Sequence, residues 1–213
     1  MGTGTMTGIP QFEPYTIADF SSLPHRIPQW KIDPNRAVLL LHDMQKYFIR
    51  PITAEPQKNS FIKNTMGIRK HSKKIGIPVA FTAQPGDMTQ KQRGLLYDFW
   101  GNGMKSDDTD REIINELKPN AEDWLITKWR YSAFCRTDLL QRMRESNRDQ
   151  IILCGVYAHI GVLMTAVDAF SHDIETFLIA DAISDFSRAH HLMALNYAAR
   201  CCAVVLRTDE VIT

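Results

Sequence analysis

From residue 37 onward, short apolar runs alternate with longer stretches whose apolar residues recur at helical spacing. Ala37–His42 (AVLLLH) is apolar without interruption, as expected of a central strand covered on both faces. Val79–Thr82, Trp124–Thr127, Gln150–Cys154, Phe177–Ala180 and Ala203–Leu206 read as five further strands. Between them, helices are expected over Ser60–Ile75, stopped by Gly76 and Pro78, and over Asp108–Leu117, stopped before Pro119. Others are expected over Thr137–Glu145 with Thr137 as N-cap, over Ile160–Ser171 and over His190–Arg200. Strands alternating with helices imply an α/β fold: a single-domain, three-layer α/β/α sandwich on a mainly parallel six-stranded, Rossmann-like sheet. Residues 1–35 lack periodicity and carry five prolines, so they read as an extended arm anchored by Trp30 and Ile32, with the folded domain spanning residues 36–213.

Composition narrows the partner. Lys and Arg number 25 against 24 Asp and Glu, so the chain presents no electrostatic footprint for nucleic acid or an anionic membrane. No apolar run approaches the roughly 20 residues of a membrane span and no secretory signal pattern opens the chain, so a cytoplasmic protein is expected. Cys135, Cys154, Cys201 and Cys202 show neither C-x-x-C nor zinc-ligand spacing and read as reduced thiols, with no metal site. The apolar helices around Ile160–Phe170 and Leu192–Ala203 fit a homodimer as well as internal packing.

In a parallel α/β sheet, ligands bind at the carboxyl ends of the strands, which is where candidate chemistry is sought. The first strand ends in His42-Asp43-Met44-Gln45, the second in Ala83-Gln84-Pro85-Gly86, the third in Lys128-Trp129-Arg130-Tyr131. The fourth ends in Gly155-Val156-Tyr157-Ala158-His159-Ile160-Gly161, running into a helix whose N-terminal amides suit an anion. Each residue alone has a bland reading: Asp43 as a turn cap, Lys128 as a snorkelling surface group, His159 as a hydrogen-bonded structural histidine. Together they form a polar constellation. Phosphate-binding loops, Gly-x-Ser-x-Gly and His-Glu-x-x-His are absent from the sequence.

The segments RAVLLLHDMQKYF (36–48), FTAQPGDMTQKQRGLLYDFWG (81–101), TKWRYSAF (127–134), GVYAHIGVLMTAVDAF (155–170) and ADAISDFS (180–187) resemble the isochorismatase-like α/β hydrolases over nearly the whole chain. The likeness implies Asp43 and Lys128 as catalytic residues, and Gln84, Arg93, Trp100, Tyr157 and Gly161 as substrate-binding ones, Trp100 by excluding water. Amide-cleaving branches of this family carry a nucleophilic Cys where this chain has Gly161, so the resemblance points away from thiolate chemistry. GIPQFEPY, TAQPGDMTQKQRGLL, DLLQRMR and CGVYAHIGVL are similar to the phenazine-pathway branch, which acts on 2-amino-2-deoxyisochorismate, and the chain's end favours a free-standing hydrolase domain. The implied reaction is hydrolysis of a vinyl ether to pyruvate on a chorismate-derived dianion without a cofactor. Asp43, as a neutral acid, would protonate the enolpyruvyl methylene, although a nearby Lys128 ammonium opposes that protonation state. Alternatives are an isochorismate hydrolase of siderophore type, a thiol-dependent amidase, and a non-catalytic binding protein of the same fold. Gly161 is expected to allow close approach of the backbone to substrate.

Overall fold

The computed structural model describes residues 8–16 and 23–212. Six strands, β1 (Ala37–His42), β2 (Val79–Ala83), β3 (Trp124–Thr127), β4 (Gln150–Val156), β5 (Glu175–Ser184) and β6 (Val204–Leu206), form one sheet in the order β3-β2-β1-β4-β5-β6. Every neighbouring pair runs parallel. β1 and β4 are buried along their full length, consistent with their unbroken apolar sequences, whereas β3 is an edge strand that leaves Leu125 exposed. The chain winds outward from β1 to β3, then returns to the centre and winds the other way from β4 to β6. Strand order therefore reverses between β1 and β4, and a crevice opens there beyond the carboxyl ends.

The α-helices are α1 (Lys46–Ile49), α2 (Glu55–Lys74), α3 (Gln90–Arg93), α4 (Leu96–Trp100), α5 (Asp108–Arg111), α6 (Leu139–Glu145), α7 (Leu163–Ser171), α8 (Arg188–Cys201) and α9 (Thr208–Val211). α2 packs on β1, β2 and β5, while α7 and α8 pack on β5 and on each other. α2 starts five residues before the sequence suggests. Pro56 sits in its first turn, where a missing N–H costs nothing, and polar Gln57 is buried through a 3.2 Å bond to Ser184 Oγ.

Two expected helices are corrected. Asp108–Leu117 breaks after α5, because Ile113 forms an antiparallel bridge to Gln45 and the Ile114 N–H donates to Met44 O at 3.0 Å; a short 3-10 turn, Asn115–Leu117, follows. Backbone pairing with the segment after β1 outcompetes local helix propensity there. The expected helix from Ile160 instead opens earlier with a π-helical turn, Ala158–Val162, that leads into α7. Thr137 is not the cap of α6. Asp138 occupies that position, and the Thr137 hydroxyl donates to Ala133 O at 2.6 Å while accepting from Leu139 N at 3.3 Å.

The described part of the arm contains no helix or strand. Trp30 and Ile32 pack against the core, as does a residue the sequence pattern does not single out, Phe12. Its ring is buried against Phe186 and Tyr157, with centroids 5.3 and 5.6 Å away. This docking carries Ile9 to the rim of the crevice between β1 and β4.

Candidate active site

The crevice holds about 560 Å³ of empty space, part of it open to solvent. All seven candidate residues, Asp43, Gln84, Arg93, Trp100, Lys128, Tyr157 and Gly161, line it, although they come from five separate segments of sequence. Asp43, Gln84 and Lys128 each occupy the first position after a strand, which is how the parallel register converts distant sequence positions into one cluster.

Asp43 is 4% exposed and adopts φ 51°, a left-handed conformation that Asp tolerates better than most residues. Its N–H donates to Thr82 Oγ1 at 3.0 Å, and that hydroxyl donates back to Asp43 Oδ1 at 2.7 Å. Lys128 is 1% exposed, with Nζ 2.9 Å from Asp43 Oδ2 and donating to Arg130 O at 2.8 Å. Burial by itself raises the Asp43 carboxyl, but the Lys128 charge, the adjacent His42 and the Thr82 hydroxyl outweigh it and hold the pKa below the usual carboxylate value. The unliganded site thus favours the carboxylate form of Asp43, the opposition from Lys128 that the sequence suggests.

Gln84 bridges the Asp43 carboxylate and the Arg93 guanidinium. Its Nε2 is 3.5 Å from Asp43 Oδ2, and its Oε1 accepts from Arg93 Nη1 at 3.3 Å. Gln45, unnoticed in the sequence beyond its place in the motif, fixes Gln84 by accepting from its N–H at 2.8 Å and donating to its C=O at 2.9 Å. Arg93 is 6% exposed and donates to Gly101 O at 2.9 Å, yet among the described residues no carboxylate lies within 4.0 Å of it. Burial pulls its pKa down, offset in part by Tyr47 and Tyr131; a guanidinium nonetheless stays charged. A buried cation without a carboxylate partner at a cavity wall is an anion-binding group in waiting.

Trp100 closes one wall and donates from Nε1 to Tyr131 OH at 2.7 Å, which identifies Tyr131 as a lining residue that sequence alone did not rank. Tyr157 contributes its ring, because its hydroxyl is spent on Phe48 O at 2.8 Å. Gly161 lines the cavity, but the space its missing side chain leaves is filled by protein. A Cβ there would lie 2.2 Å from Cε1 of His42, so close approach to the His42 ring, and not to substrate alone, requires glycine. His159 is held structurally, with Nδ1 2.7 Å from Asp185 Oδ1, and His190 stacks on it at 4.3 Å.

Among the described residues, no Ser, Thr or Cys lines the cavity. Cys154 lies inside β4, fully buried, and burial drives its thiol pKa well above the ordinary value, so it supplies no thiolate. The site therefore offers a carboxylate–ammonium pair, a guanidinium without a carboxylate partner and amide groups, with no Ser, Thr or Cys nucleophile among the described lining residues.

The isochorismatase domain matches residues 37–210. The chain belongs to the isochorismatase family. Phenazine biosynthesis protein PhzD of Pseudomonas fluorescens is 57% identical over 207 residues, covering 97% of this chain and all of that protein. The isochorismatase of Bacillus subtilis (strain 168) is 47% identical, covering 96% of this chain and 66% of its own. Among solved structures, a cysteine hydrolase from Pseudomonas syringae pv. phaseolicola shares the fold, with a TM-score of 0.80 at 24% identity over 86% of this chain and 94% of that one. Within this isochorismatase domain, no described helix is long and apolar enough to cross a membrane.

Proposed function

We propose that the protein hydrolyses the enolpyruvyl ether of 2-amino-2-deoxyisochorismate, giving pyruvate and trans-2,3-dihydro-3-hydroxyanthranilate, as a step of phenazine biosynthesis. The observation that carries the reading is a buried Asp43–Lys128 pair in a cavity whose described walls hold a second cation without a carboxylate partner and no Ser, Thr or Cys. The full-length similarity to PhzD supports the amino compound as substrate and the phenazine setting.

The substrate is a dianion. Arg93 is placed to bind one of its carboxylates, with the Gln84 amide beside it. A second carboxylate near Lys128 offsets the charge that keeps Asp43 ionised, and water leaves as the pocket fills. Both effects raise the Asp43 pKa, so substrate binding is accompanied by proton uptake at this carboxylate. Asp43 then delivers that proton to the vinyl CH₂. The C=C electron pair forms the new C–H bond and leaves an oxocarbenium ion on the former enol carbon. Water adds to that carbon, its proton returns to the site, and the hemiketal collapses, breaking the bond from that carbon to the ring oxygen. General-acid transfer contributes typically ~10²–10⁴-fold, the remainder coming from positioning and electrostatics.

The test is pyruvate release measured side by side on isochorismate and 2-amino-2-deoxyisochorismate. Faster turnover of the amino compound supports the phenazine reading. Preference for isochorismate moves the protein to a siderophore-type role with the same chemistry, and no pyruvate from either removes the vinyl-ether reading. In H₂¹⁸O the ring hydroxyl of the product is expected to stay unlabelled, because the ring oxygen never leaves the ring carbon.

A further inference from the structure

His42 is clasped by two glycines, one near the end of β4 and one in the π-helical turn that follows it. Gly155 pairs with it across the β1–β4 register, and a Cβ on Gly155 would lie 2.2 Å from His42 O and 2.7 Å from His42 N. Gly155 has φ +117°, so a side chain there is strained as well as crowded. Gly161 lies on the other side, where a Cβ would meet Cε1, Nε2 and Nδ1 of the His42 ring at 2.2, 2.9 and 3.1 Å. One glycine makes room for the backbone of His42 and the other for its imidazole. The GVYAHIG segment is therefore shaped around a residue that does not itself line the cavity.

The ring is fully buried, with the backbone of Val156 and of Tyr131 beside it. Nδ1 lies 2.9 Å from Val156 O, which assigns the proton to Nδ1, since a carbonyl only accepts. Among the described residues Nε2 has no hydrogen-bond partner. A histidine whose second nitrogen is left unpaired in the interior is poorly explained by stability, because phenylalanine or leucine would fill the same space without an orphaned acceptor. Its retained polar function is the bond to Val156 O, made from the residue that directly precedes Asp43. That bond joins β1 to the cavity-lining end of β4 at the point where the sheet order reverses.

We propose that His42 is a positioning residue with two separable duties: its Nδ1–H tie to Val156 sets Asp43 against Lys128, and its ring occupies the volume that any side chain at position 161 would need. The second duty keeps the floor of the pocket free of a side chain next to Asp43 and depends on no assumption about the substrate. The first rests on the general-acid reading of Asp43 given above.

His42→Asn separates the duties. The asparagine amide N–H can still reach Val156 O, whereas the ring volume is vacated. Thermal melts of Gly161→Ala, His42→Asn and the double variant are compared without any substrate. The added methyl is expected to lower Tm by at least ~3 °C in the His42 background, as overpacking does, and to cost less or to raise Tm in the His42→Asn background. An equal loss in both backgrounds overturns the steric duty. Pyruvate release then tests the tie. His42→Ala is expected to lower kcat about tenfold or more with KM changed less, and His42→Asn to recover part of that loss. Equal losses in kcat for the two variants, or no loss in either, overturn the positioning duty. An absence of pyruvate from the unmodified protein counts against the proposed function, and the melts still decide whether His42 and Gly161 are coupled.

Discussion

At the scale of single residues, the central tension lies in Asp43. The group asked to donate a proton is held as a carboxylate in the free protein by Lys128. This has a defined sign. In the free protein the protonated fraction of Asp43 falls as pH rises above its lowered pKa. Log kcat/KM is therefore expected to decline with increasing pH through the neutral range, while kcat, which reports the substrate-bound state, stays level to higher pH. A kcat/KM that rises with pH over that range contradicts the acid role. Stability follows the same linkage. Because its folded pKa lies below the unfolded value of roughly 3.9, Asp43 contributes stability above that value and loses it as pH falls through the folded pKa. Lys128→Met removes the main counter-charge, so desolvation raises Asp43 and reverses the slope. Its contribution is then fullest in acid and is lost as pH climbs through the raised value. Melting temperature followed between about pH 4 and pH 8 for both proteins reads this difference directly. Arg93→Gln is expected to raise KM tenfold or more with a smaller effect on kcat, because the guanidinium binds substrate without touching the proton in transit.

At the scale of elements, much of the site was legible because strand ends are legible. The apolar runs of β1, β2, β3 and β4 locate their own termini, and Asp43, Gln84, Lys128 and Tyr157 follow directly from them. Arg93 and Trp100 lie on the short helices α3 and α4, which are too brief for periodicity to reveal, so their place in the cavity is carried by resemblance and not by pattern. Gln45 escapes a sequence reading for a different reason. Its role is to satisfy the backbone of Gln84 and to donate to Arg111 O at 2.8 Å, and backbone partners leave no signature in side-chain order. The break in the expected 108–117 helix has the same origin, since pairing with residues 44–46 is tertiary. The wall formed by α4 provides its own test. Tyr131→Phe removes the acceptor for the Trp100 indole and is expected to raise KM several-fold by loosening that wall, measured in the pyruvate assay. At Gly161 the sequence gives only part of the picture: a glycine reports that something is close, and only the structure says that the imidazole of His42 is there.

At the scale of the whole molecule, the doubly wound sheet supplies the crevice, and the arm closes over its edge through Phe12 and Ile9. The chemistry is then a matter of what the crevice lacks as much as what it holds. With Cys154 sealed in β4 and the exposed Cys201 and half-buried Cys135 away from the cavity lining, alkylation by iodoacetamide is expected to label the accessible thiols and leave turnover unchanged. Loss of activity in step with labelling would point to a thiol-dependent hydrolase. The most direct test of the account is single-turnover pyruvate release by Asp43→Asn, paired with calorimetric binding of the same dianionic substrate. The amide preserves the size of the side chain and its bond to Thr82 but carries no acidic proton. The variant is expected to bind substrate and to release pyruvate at least ~10²-fold more slowly than the unmodified protein. Near-normal release would contradict it.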